Sequence, residues 1–136
     1  MKIKIEKRYS SEIKLEGEAV SFKEFVVKNK SNLRGSNLSG SDLRYSDLSY
    51  SNLRGSDLSY SDLSYSDLRY SDLSGSDLSG SNLSGSNLRG SDLSGSNLRG
   101  SDLSYSDLSG SDLRWVKIRA SQKDELLEAL KIEIIE

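Results

Sequence analysis

The sequence contains no cysteine and no histidine among its 136 residues. Without cysteine the chain can form neither a disulfide nor a thiolate metal site, and without histidine it lacks the commonest general base and metal ligand. These two absences exclude Ser-His-Asp catalysis, Cys-His catalysis and the zinc hydrolases. We therefore expect no catalytic residue, no metal site and no cofactor.

Apolar residues are also scarce. They make up 34% of the chain, and aromatic residues make up 7%. This composition alone is typical of poorly hydrophobic, disordered sequences, so order must come from the pattern of residues. The segment from Met1 to Arg8 lacks the apolar run of a signal peptide, and no stretch approaches the roughly 20 apolar residues of a membrane span. These features predict a soluble, cytoplasmic protein that does not bind membranes.

A strict repeat dominates the sequence. From Ser31 to Trp115 it consists of 17 consecutive copies of Ser-(Asp/Asn)-Leu-(Arg/Ser)-(Gly/Tyr), the last ending in tryptophan, and a degenerate copy follows at residues 116–120. In an α-helix the leucines would scatter around all sides, because five residues rotate the chain by about 500°. In a straight strand they would alternate between the two faces. Neither regular structure gathers the leucines on one side.

A turn once per repeat removes this difficulty, since every leucine can then point to a common axis. Right-angle corners place four repeats in each coil, and successive coils can stack through backbone hydrogen bonds. Strand alternation puts the serine, two residues before leucine, on the inner side as well, whereas the Asp or Asn between them points outward. The predicted interior is a column of leucines with serines beside it. The core positions are represented by Leu33, Leu53, Leu73, Leu93 and Leu113.

These repeats resemble those of the pentapeptide-repeat proteins, whose consensus is Ala-(Asp/Asn)-Leu-X-X. The resemblance covers residues 31–120 and implies a right-handed quadrilateral β-helix, here of about 4.5 coils and roughly 22 Å in length. The sequence departs from the consensus in having serine where the family usually has alanine. An unpaired buried hydroxyl costs about 1–3 kcal/mol, so we expect each inward serine to bond to a neighbouring backbone carbonyl.

The segments on either side of the repeats are interpreted as caps. Residues 1–30 predict a β-hairpin around Ser10 and Ser11, with an apolar face, followed by a short helix that the capping box Ser21-Phe-Lys-Glu24 begins. The apolar face of the hairpin consists of Ile3, Ile5, Ile13 and Leu15. Residues 121–136 predict a helix over residues 122–131 and then a strand. The flanks resemble those of phage-type members of the family.

The predicted fold is thus one domain, an all-β solenoid with a hairpin and helix cap at residues 1–30, a β-helix at 31–120 and a helix and strand cap at 121–136. The C-terminal strand would present a free edge, which invites pairing with another chain. We therefore predict a homodimer, with Ile132, Ile134 and Ile135 as its candidate interface. The unpaired edge of the N-terminal hairpin is the alternative interface.

Tyrosines at the repeat corners form the most distinctive predicted surface. Tyr45 lies one layer from Tyr65, and Tyr50 lies one layer from Tyr70, so each pair can stack within an exposed aromatic patch. The candidate partner-binding residues are Tyr45, Tyr50, Tyr60, Tyr65 and Tyr70. Corner packing with no partner is the alternative interpretation.

The outward columns are acidic but diluted. The 17 repeats carry 11 Asp and six Asn before leucine, against seven Arg after it. Some pentapeptide-repeat proteins are regarded as mimics of the DNA double helix that bind gyrase, and the rod shape and the acidic sign agree with that function. However, DNA about 22 Å long would carry roughly 13 negative charges, whereas the repeats carry an excess of four.

We therefore predict a non-enzymatic structural or protein-interaction module with an unidentified protein partner and no direct binding of nucleic acid. The alternative function is a DNA mimic that inhibits or protects DNA gyrase or another type II topoisomerase.

Overall fold

A computed structural model describes residues 1–131 of the chain. The predicted C-terminal strand and the candidate dimer residues Ile132, Ile134 and Ile135 lie outside the described residues. Homodimerisation through a chain terminus therefore remains a proposal.

The repeats coil with a period of 20 residues. Parallel bridges join positions 20 apart along the whole repeat region, from Asn37 with Asp57 to Asn97 with Lys117. In each repeat, the backbone N–H groups of the Asp or Asn, of the leucine and of the corner residue donate to carbonyls of neighbouring coils. For example, Leu58 N donates to Asp77 O in the following coil at 2.8 Å, and Asp77 N donates to a carbonyl of the preceding coil. Each side of the coil is one short bridge because the chain turns again after five residues.

Every repeat ends in a tight turn. The N–H of the following serine donates to the leucine carbonyl three residues earlier, as in Ser76 to Leu73 at 3.1 Å. The corner residue has a positive φ, of 64° at Gly75 and 57° at Tyr60. This is the conformation required at the third position of a type II turn. Glycine adopts it freely, whereas for other L-residues the left-handed conformation costs about 1–2 kcal/mol. Seven aromatic corners adopt it nonetheless: Tyr45, Tyr50, Tyr60, Tyr65, Tyr70, Tyr105 and Trp115.

The leucines fill the interior of the rod. All 16 from Leu33 to Leu108 are buried, including the predicted core positions Leu53, Leu73 and Leu93. Leu113 was expected in the same core but is only partly buried. It lies in the last turn of the repeat region, where no further repeat coil covers it. The continuous leucine column is the main source of apolar burial in the chain.

The inward serines do not all behave alike. Most hydroxyls donate to the carbonyl of the leucine three residues earlier, as Ser76 Oγ does to Leu73 O at 2.6 Å. Ser56 instead uses the carbonyl of Leu33 in the preceding coil, at 2.7 Å. The expectation that every inward hydroxyl is bonded was wrong for four buried serines, namely Ser36, Ser51, Ser91 and Ser96. At Ser36 the leucine carbonyl three residues earlier, that of Leu33, already accepts from Ser36 N and Ser56 Oγ.

The N-terminal cap is a hairpin followed by a helix. Strand β1 (Lys2–Glu6) pairs antiparallel with β2 (Ile13–Glu18), and helix α1 (Phe22–Lys28) leads through a 3₁₀ turn (Lys30–Asn32) into the first repeat.

Ser21 is the N-cap of α1, and its Oγ accepts from Glu24 N at 3.1 Å. The Glu24 carboxylate accepts from Val20 N at 2.7 Å, one residue before the N–H that a capping box uses. The side chains of the cap that enter the core are Ile3, Ile5, Phe25 and Val26.

One residue of the hairpin does not lie where the alternation placed it. Ile13 was expected on the apolar face but is 42% exposed. A register irregularity between Ile5 and Glu6 brings Glu6 opposite Ile13, so the alternation of the two strands breaks at this point.

The C-terminal cap is a 3₁₀ turn (Ala120–Gln122) followed by α2 (Lys123–Ala129), shorter than the predicted helix. Gln122 takes the place of the backbone of a further coil. Its Nε2 donates to Ser101 O at 3.0 Å, and its Oε1 accepts from Gly100 N at 3.0 Å. The Glu125 carboxylate likewise accepts from Leu103 N at 2.6 Å. Side chains of the cap thus bond to backbone groups that no following coil can reach.

Candidate interaction surface

The coil gives the rod four corner columns, each with its own residues. One column is glycine alone until its end, with Gly35, Gly55, Gly75 and Gly95 before Trp115. The other three contain Gly40, Tyr60, Gly80 and Gly100; Tyr45, Tyr65, Gly85 and Tyr105; and Tyr50, Tyr70, Gly90 and Gly110. The sequence therefore places tyrosines on three corners and keeps the fourth free of side chains from Gly35 to Gly95.

The tyrosine surface comprises Tyr45, Tyr50, Tyr60, Tyr65 and Tyr70. The rings of Tyr45 and Tyr65 stack with their centroids 5.3 Å apart and their planes 8° apart. Tyr50 and Tyr70 stack at the same distance with planes 23° apart. All five side chains nevertheless stay accessible, with exposures from 52% at Tyr70 to 76% at Tyr60. The structure thus brings four of these residues together in two stacked pairs.

Three tyrosines of this surface, Tyr60, Tyr65 and Tyr70, each lie over a glycine of the next coil. A β-carbon added to Gly80 would lie 2.6 Å from Cε1 of Tyr60. A β-carbon added to Gly85 or to Gly90 would lie at the same distance from Cε1 of Tyr65 or of Tyr70, respectively. The rings therefore extend along the rod toward the C-terminal cap and contact the following corner. This packing restricts the rings before any partner binds.

The outward Asp and Asn residues have a structural role that the repeat pattern did not reveal. From Asn37 to Asp112 each side-chain oxygen accepts the backbone N–H two residues later. At Asp77, for example, Oδ1 accepts from Ser79 N at 3.0 Å and from Ser79 Oγ at 2.6 Å. That N–H makes no backbone bond between coils. Asp and Asn are interchangeable here because both provide Oδ1, and the known tendency of these residues to form such turns was the available signal.

These bonds and nearby cations stabilise the charged form of the carboxylates. Hydrogen bonds from Arg44 lower the pKa of Asp42 to about 2. Bonds from Ser49, with Lys30 nearby, lower the pKa of Asp47 to about 2.

Several arginines pair with the Asp of their own repeat. The guanidinium of Arg44 lies 2.7 Å from Asp42, and similar pairs join Arg69 to Asp67 and Arg114 to Asp112. Part of the acidic surface is therefore neutralised locally.

A groove borders the tyrosine surface at its N-terminal end. It has a volume of about 530 Å³ between α1 and the corner at Tyr45, and its lining includes Lys23, Val27, Lys28 and Asp47. Lys23 Nζ donates to Arg44 O at 3.0 Å and so links α1 to this side of the rod. The tyrosine surface and α1 together form a rigid, uneven face.

Arg8 is a positioning residue that the sequence did not reveal. Its backbone N–H donates to Gly35 O at 2.7 Å, and its Nη1 lies 3.1 Å from both Gly55 O and Gly75 O. Its Nη2 lies 3.8 Å from Asp77 Oδ2. Arg8 therefore ties the hairpin turn to three successive coils of the glycine column. Only the absence of side chains on that column pointed to such an approach.

Within residues 1–131 we find no cluster of acidic side chains suited to holding a metal ion. None of the helices described in this part of the chain has the length and apolar character needed to cross a membrane.

The repeats match a known protein family. The family model described as pentapeptide repeats matches with eight copies, over residues 29–59, 47–80, 56–95 and 81–119. No curated protein shows a significant match to the chain.

Solved structures of similar proteins share the coil. The pentapeptide repeat protein Rfr23 of the cyanobacterium Cyanothece 51142 is 37% identical, with a TM-score of 0.61, over 62% of this chain and 57% of that one. The chain therefore spans little more than half of that protein. The pentapeptide repeat protein alr5209 of Nostoc PCC 7120 is 27% identical, with a TM-score of 0.60, over 71% of this chain and 91% of that one. These likenesses imply a right-handed β-helix solenoid.

A weaker likeness concerns QnrB1, a plasmid-mediated fluoroquinolone resistance protein. It is 24% identical with a TM-score of 0.24, over 74% of this chain and 68% of that one. A match at this level carries no information about a binding partner.

Proposed function

The chain belongs to the pentapeptide-repeat family, and from this premise we propose that it is a non-enzymatic protein-interaction module that binds its partner through the tyrosine surface. The observation that carries the proposal is the presence of two stacked pairs of tyrosines that remain more than half exposed. Tyrosine is among the residues that contribute most binding energy at protein interfaces.

The tyrosine surface is already ordered in the absence of a partner. Each ring is held by its neighbour in the stack or by the glycine corner below it. The corner backbone is fixed by its turn and by a bond to the next coil, such as Tyr60 N to Ser79 O at 3.0 Å. Binding therefore costs little conformational entropy in the rings, and preorganised side chains of this kind favour affinity.

The aromatic corners also cost stability, which supports a role beyond packing. Tyr50 and Tyr70 adopt φ angles of 57° and 56°, where glycine would be unstrained. Glycine occupies the same corner in the later coils, at Gly90 and Gly110, so the turn does not require tyrosine. The exposed area that these rings add is what a partner would contact.

Imitation of DNA is the second candidate, and the surface supports it less. Rod shape and a net excess of carboxylates favour it. However, Arg44, Arg69 and Arg114 each lie within 2.7 Å of a carboxylate of their own repeat and weaken the negative field. Duplex DNA presents an uninterrupted series of phosphates, about one charge per 1.7 Å.

A capture experiment with matched variants tests the proposal. The variant Tyr45→Gly/Tyr50→Gly/Tyr65→Gly/Tyr70→Gly removes the stacks, and glycine suits the corner φ, so the coil is kept. Tyr105→Gly removes a tyrosine that lies outside the tyrosine surface and is 96% exposed. We expect a protein captured from a bacterial lysate by the wild type and by Tyr105→Gly to be lost with the fourfold variant. Equal capture by all three proteins would refute the tyrosine surface as the binding site.

A further inference from the structure

A second surface lies at the corner column that carries glycine instead of tyrosine, where the N-terminal hairpin turn approaches Gly35 and Gly55. A groove of about 420 Å³ separates them, lined by Arg8, Tyr9, Lys14, Arg34 and Gly55 among others. It continues along the rod as a depression of about 470 Å³ that is lined by Arg34 and Arg54 and, farther along, by Asp92. We define Lys14, Arg34 and Arg54, with the bare corners Gly35 and Gly55, as the cationic groove. None of its residues belongs to the tyrosine surface.

The repeats of Arg34 and Arg54 differ from those of the arginines that form ion pairs. Arg44, Arg69 and Arg114 each follow an Asp two residues earlier and bind its carboxylate. Arg34 and Arg54 instead follow Asn32 and Asn52, which carry no charge. Within residues 1–131 neither of these two guanidinium groups forms an ion pair, and both side chains are exposed.

Arg34 and Arg54 are neighbours in successive coils. The bond from Gly35 N to Arg54 O, of 2.9 Å, places them in the same column, and stacked strands lie about 4.8 Å apart. Two cations at this spacing repel each other unless an anion lies between them. Lys14 lines the same groove from the hairpin and adds a third positive charge.

The floor of the groove is open and rigid. A β-carbon at Gly35, Gly55 or Gly75 would meet nothing within 4 Å, so a ligand backbone can approach the corners closely. Arg8 fixes the hairpin wall by donating to the carbonyls of Gly55 and Gly75. The groove therefore exists before a ligand arrives.

We propose that the cationic groove binds a short acidic segment of a partner protein through its carboxylates. Arginine binds carboxylates in a bidentate, directional manner that lysine does not reproduce. The positive character ends after two coils, because Ser74 and Ser94 follow Arg34 and Arg54 in their column, and Asp72 and Asp92 take the positions of Asn32 and Asn52. A long polyanion such as nucleic acid would meet these carboxylates, whereas a peptide with two or three acidic side chains fits the short cationic stretch.

Fluorescence anisotropy with labelled hexaglutamate tests the proposal on the full chain, with hexaglutamine and a six-nucleotide oligothymidylate as comparison probes. We expect saturable binding of hexaglutamate that weakens between about 50 and about 200 mM salt, since screening increases over that range. The variant Arg34→Gln/Arg54→Gln should lose at least about tenfold in affinity. The matched variant Arg69→Gln/Arg114→Gln changes the net charge equally and should stay within about twofold of the wild type.

Three outcomes would overturn the proposal: no saturable binding of hexaglutamate, an equal loss in the two arginine variants, or binding of oligothymidylate as tight as that of hexaglutamate. The fourfold tyrosine variant should bind hexaglutamate like the wild type. A failure of the tyrosine surface as a partner site therefore leaves this test unaffected.

Discussion

The ring of Tyr60 fills the space above Gly80, where Cε1 would lie 2.6 Å from an added β-carbon. At Gly75, in another column, a β-carbon would meet nothing within 4 Å. The two glycines have almost the same φ, 65° and 64°. At Gly75 only the backbone conformation disfavours a larger residue. At Gly80 the packed ring of Tyr60 disfavours it as well.

Alanine at the two corners should separate these effects. Gly75→Ala should lower the free energy of unfolding by about 1–2 kcal/mol, the cost of a left-handed alanine. Gly80→Ala should lower it further, because the methyl group displaces the ring of Tyr60. The additional loss should vanish when Gly80→Ala is introduced into Tyr60→Ala and the double variant is compared with Tyr60→Ala alone. Urea denaturation of the wild type and the four variants measures this, and equal losses at both corners would show that the ring contact contributes nothing.

Buried serines provide a second matched pair. Ser96 Oγ is buried without a partner, whereas Ser76 Oγ, one coil earlier in the same column, donates to Leu73 O at 2.6 Å. Ser96→Ala should raise the free energy of unfolding by about 1–3 kcal/mol, because it removes an unsatisfied hydroxyl. Ser76→Ala should lower it by about 0.5–1.5 kcal/mol through the lost bond. Thermal and urea unfolding can compare both; destabilisation by Ser96→Ala would contradict the assignment of its hydroxyl.

Stability should fall in acid. The folded chain holds the pKa of Asp42 and Asp47 at about 2, below the ordinary value of 3.8. Both groups therefore favour the folded state above pH about 4, and this contribution is lost as the pH falls toward about 2. Burial raises the pKa of Glu125 above its ordinary 4.5, so its contribution has the opposite sign: it is present below pH about 4.5 and lost as the pH rises through the raised pKa.

The unfolding midpoint in urea, followed from pH about 5 to about 2, measures the balance, and we expect the six lowered Asp groups to dominate. Asp47→Asn keeps the Oδ1 acceptor but cannot titrate, so the unfolding midpoint of this variant should fall less on acidification than that of the wild type. A midpoint that rises on acidification would contradict this expectation.

The Arg8 side chain should control how firmly the hairpin is held. Arg8→Met keeps the length of the side chain but removes the bonds to Gly55 O and Gly75 O. Amide hydrogen exchange should then accelerate about 10-fold to 160-fold in β1 and β2, because hydrogen bonds from a charged donor contribute about 1.5–3 kcal/mol. Exchange in the coils around Leu73 should not change. Arg34→Met, at an exposed arginine without an ion pair, is the control; the same acceleration there would mean that Arg8 has no special role.

Gyrase should not be inhibited by this protein at low micromolar concentration, because its field is far weaker than that of the duplex it would imitate. A supercoiling assay measures this directly. The variant Arg44→Gln/Arg69→Gln/Arg114→Gln frees three carboxylates and provides a more acidic comparison. Potent inhibition by the wild type that weakens with salt and strengthens in the variant would establish DNA mimicry instead.

The regular part of the fold could be predicted from the sequence because its geometry is periodic. Once the chain turns every five residues, position modulo 20 determines each neighbour, which is why the stacking of Tyr45 on Tyr65 followed from numbering alone. The direction in which the rings extend did not follow, since it depends on the side-chain torsions at a positive φ.

The non-periodic contacts were beyond the sequence. Arg8 reaches across three coils because the hairpin turn lies against a bare corner, and no local pattern encodes that approach. The exposure of Ile13 follows from a register irregularity that alternation does not show. Ser96 and Ser76 occupy equivalent positions and both follow a Ser-Asp-Leu-Ser-Gly repeat, so their different hydrogen bonding could not be predicted from the repeat that contains the leucine acceptor.

Because each coil takes 20 residues, the number of residues between two positions determines the angle between them around the axis of the rod. Insertion or loss of a whole coil would leave every column in place, whereas loss of one repeat would rotate all later residues by a quarter turn. Without residues 51–55, for example, Tyr70 would come to lie beneath Tyr45, and Tyr50 would face Gly75 instead of an aromatic ring. Each coil would still close around its leucines, so the core would not register the change while the surface was rearranged. In such a rod, the position of a repeat within the 20-residue coil determines which surface residues are neighbours, whereas the leucine core is the same at every position.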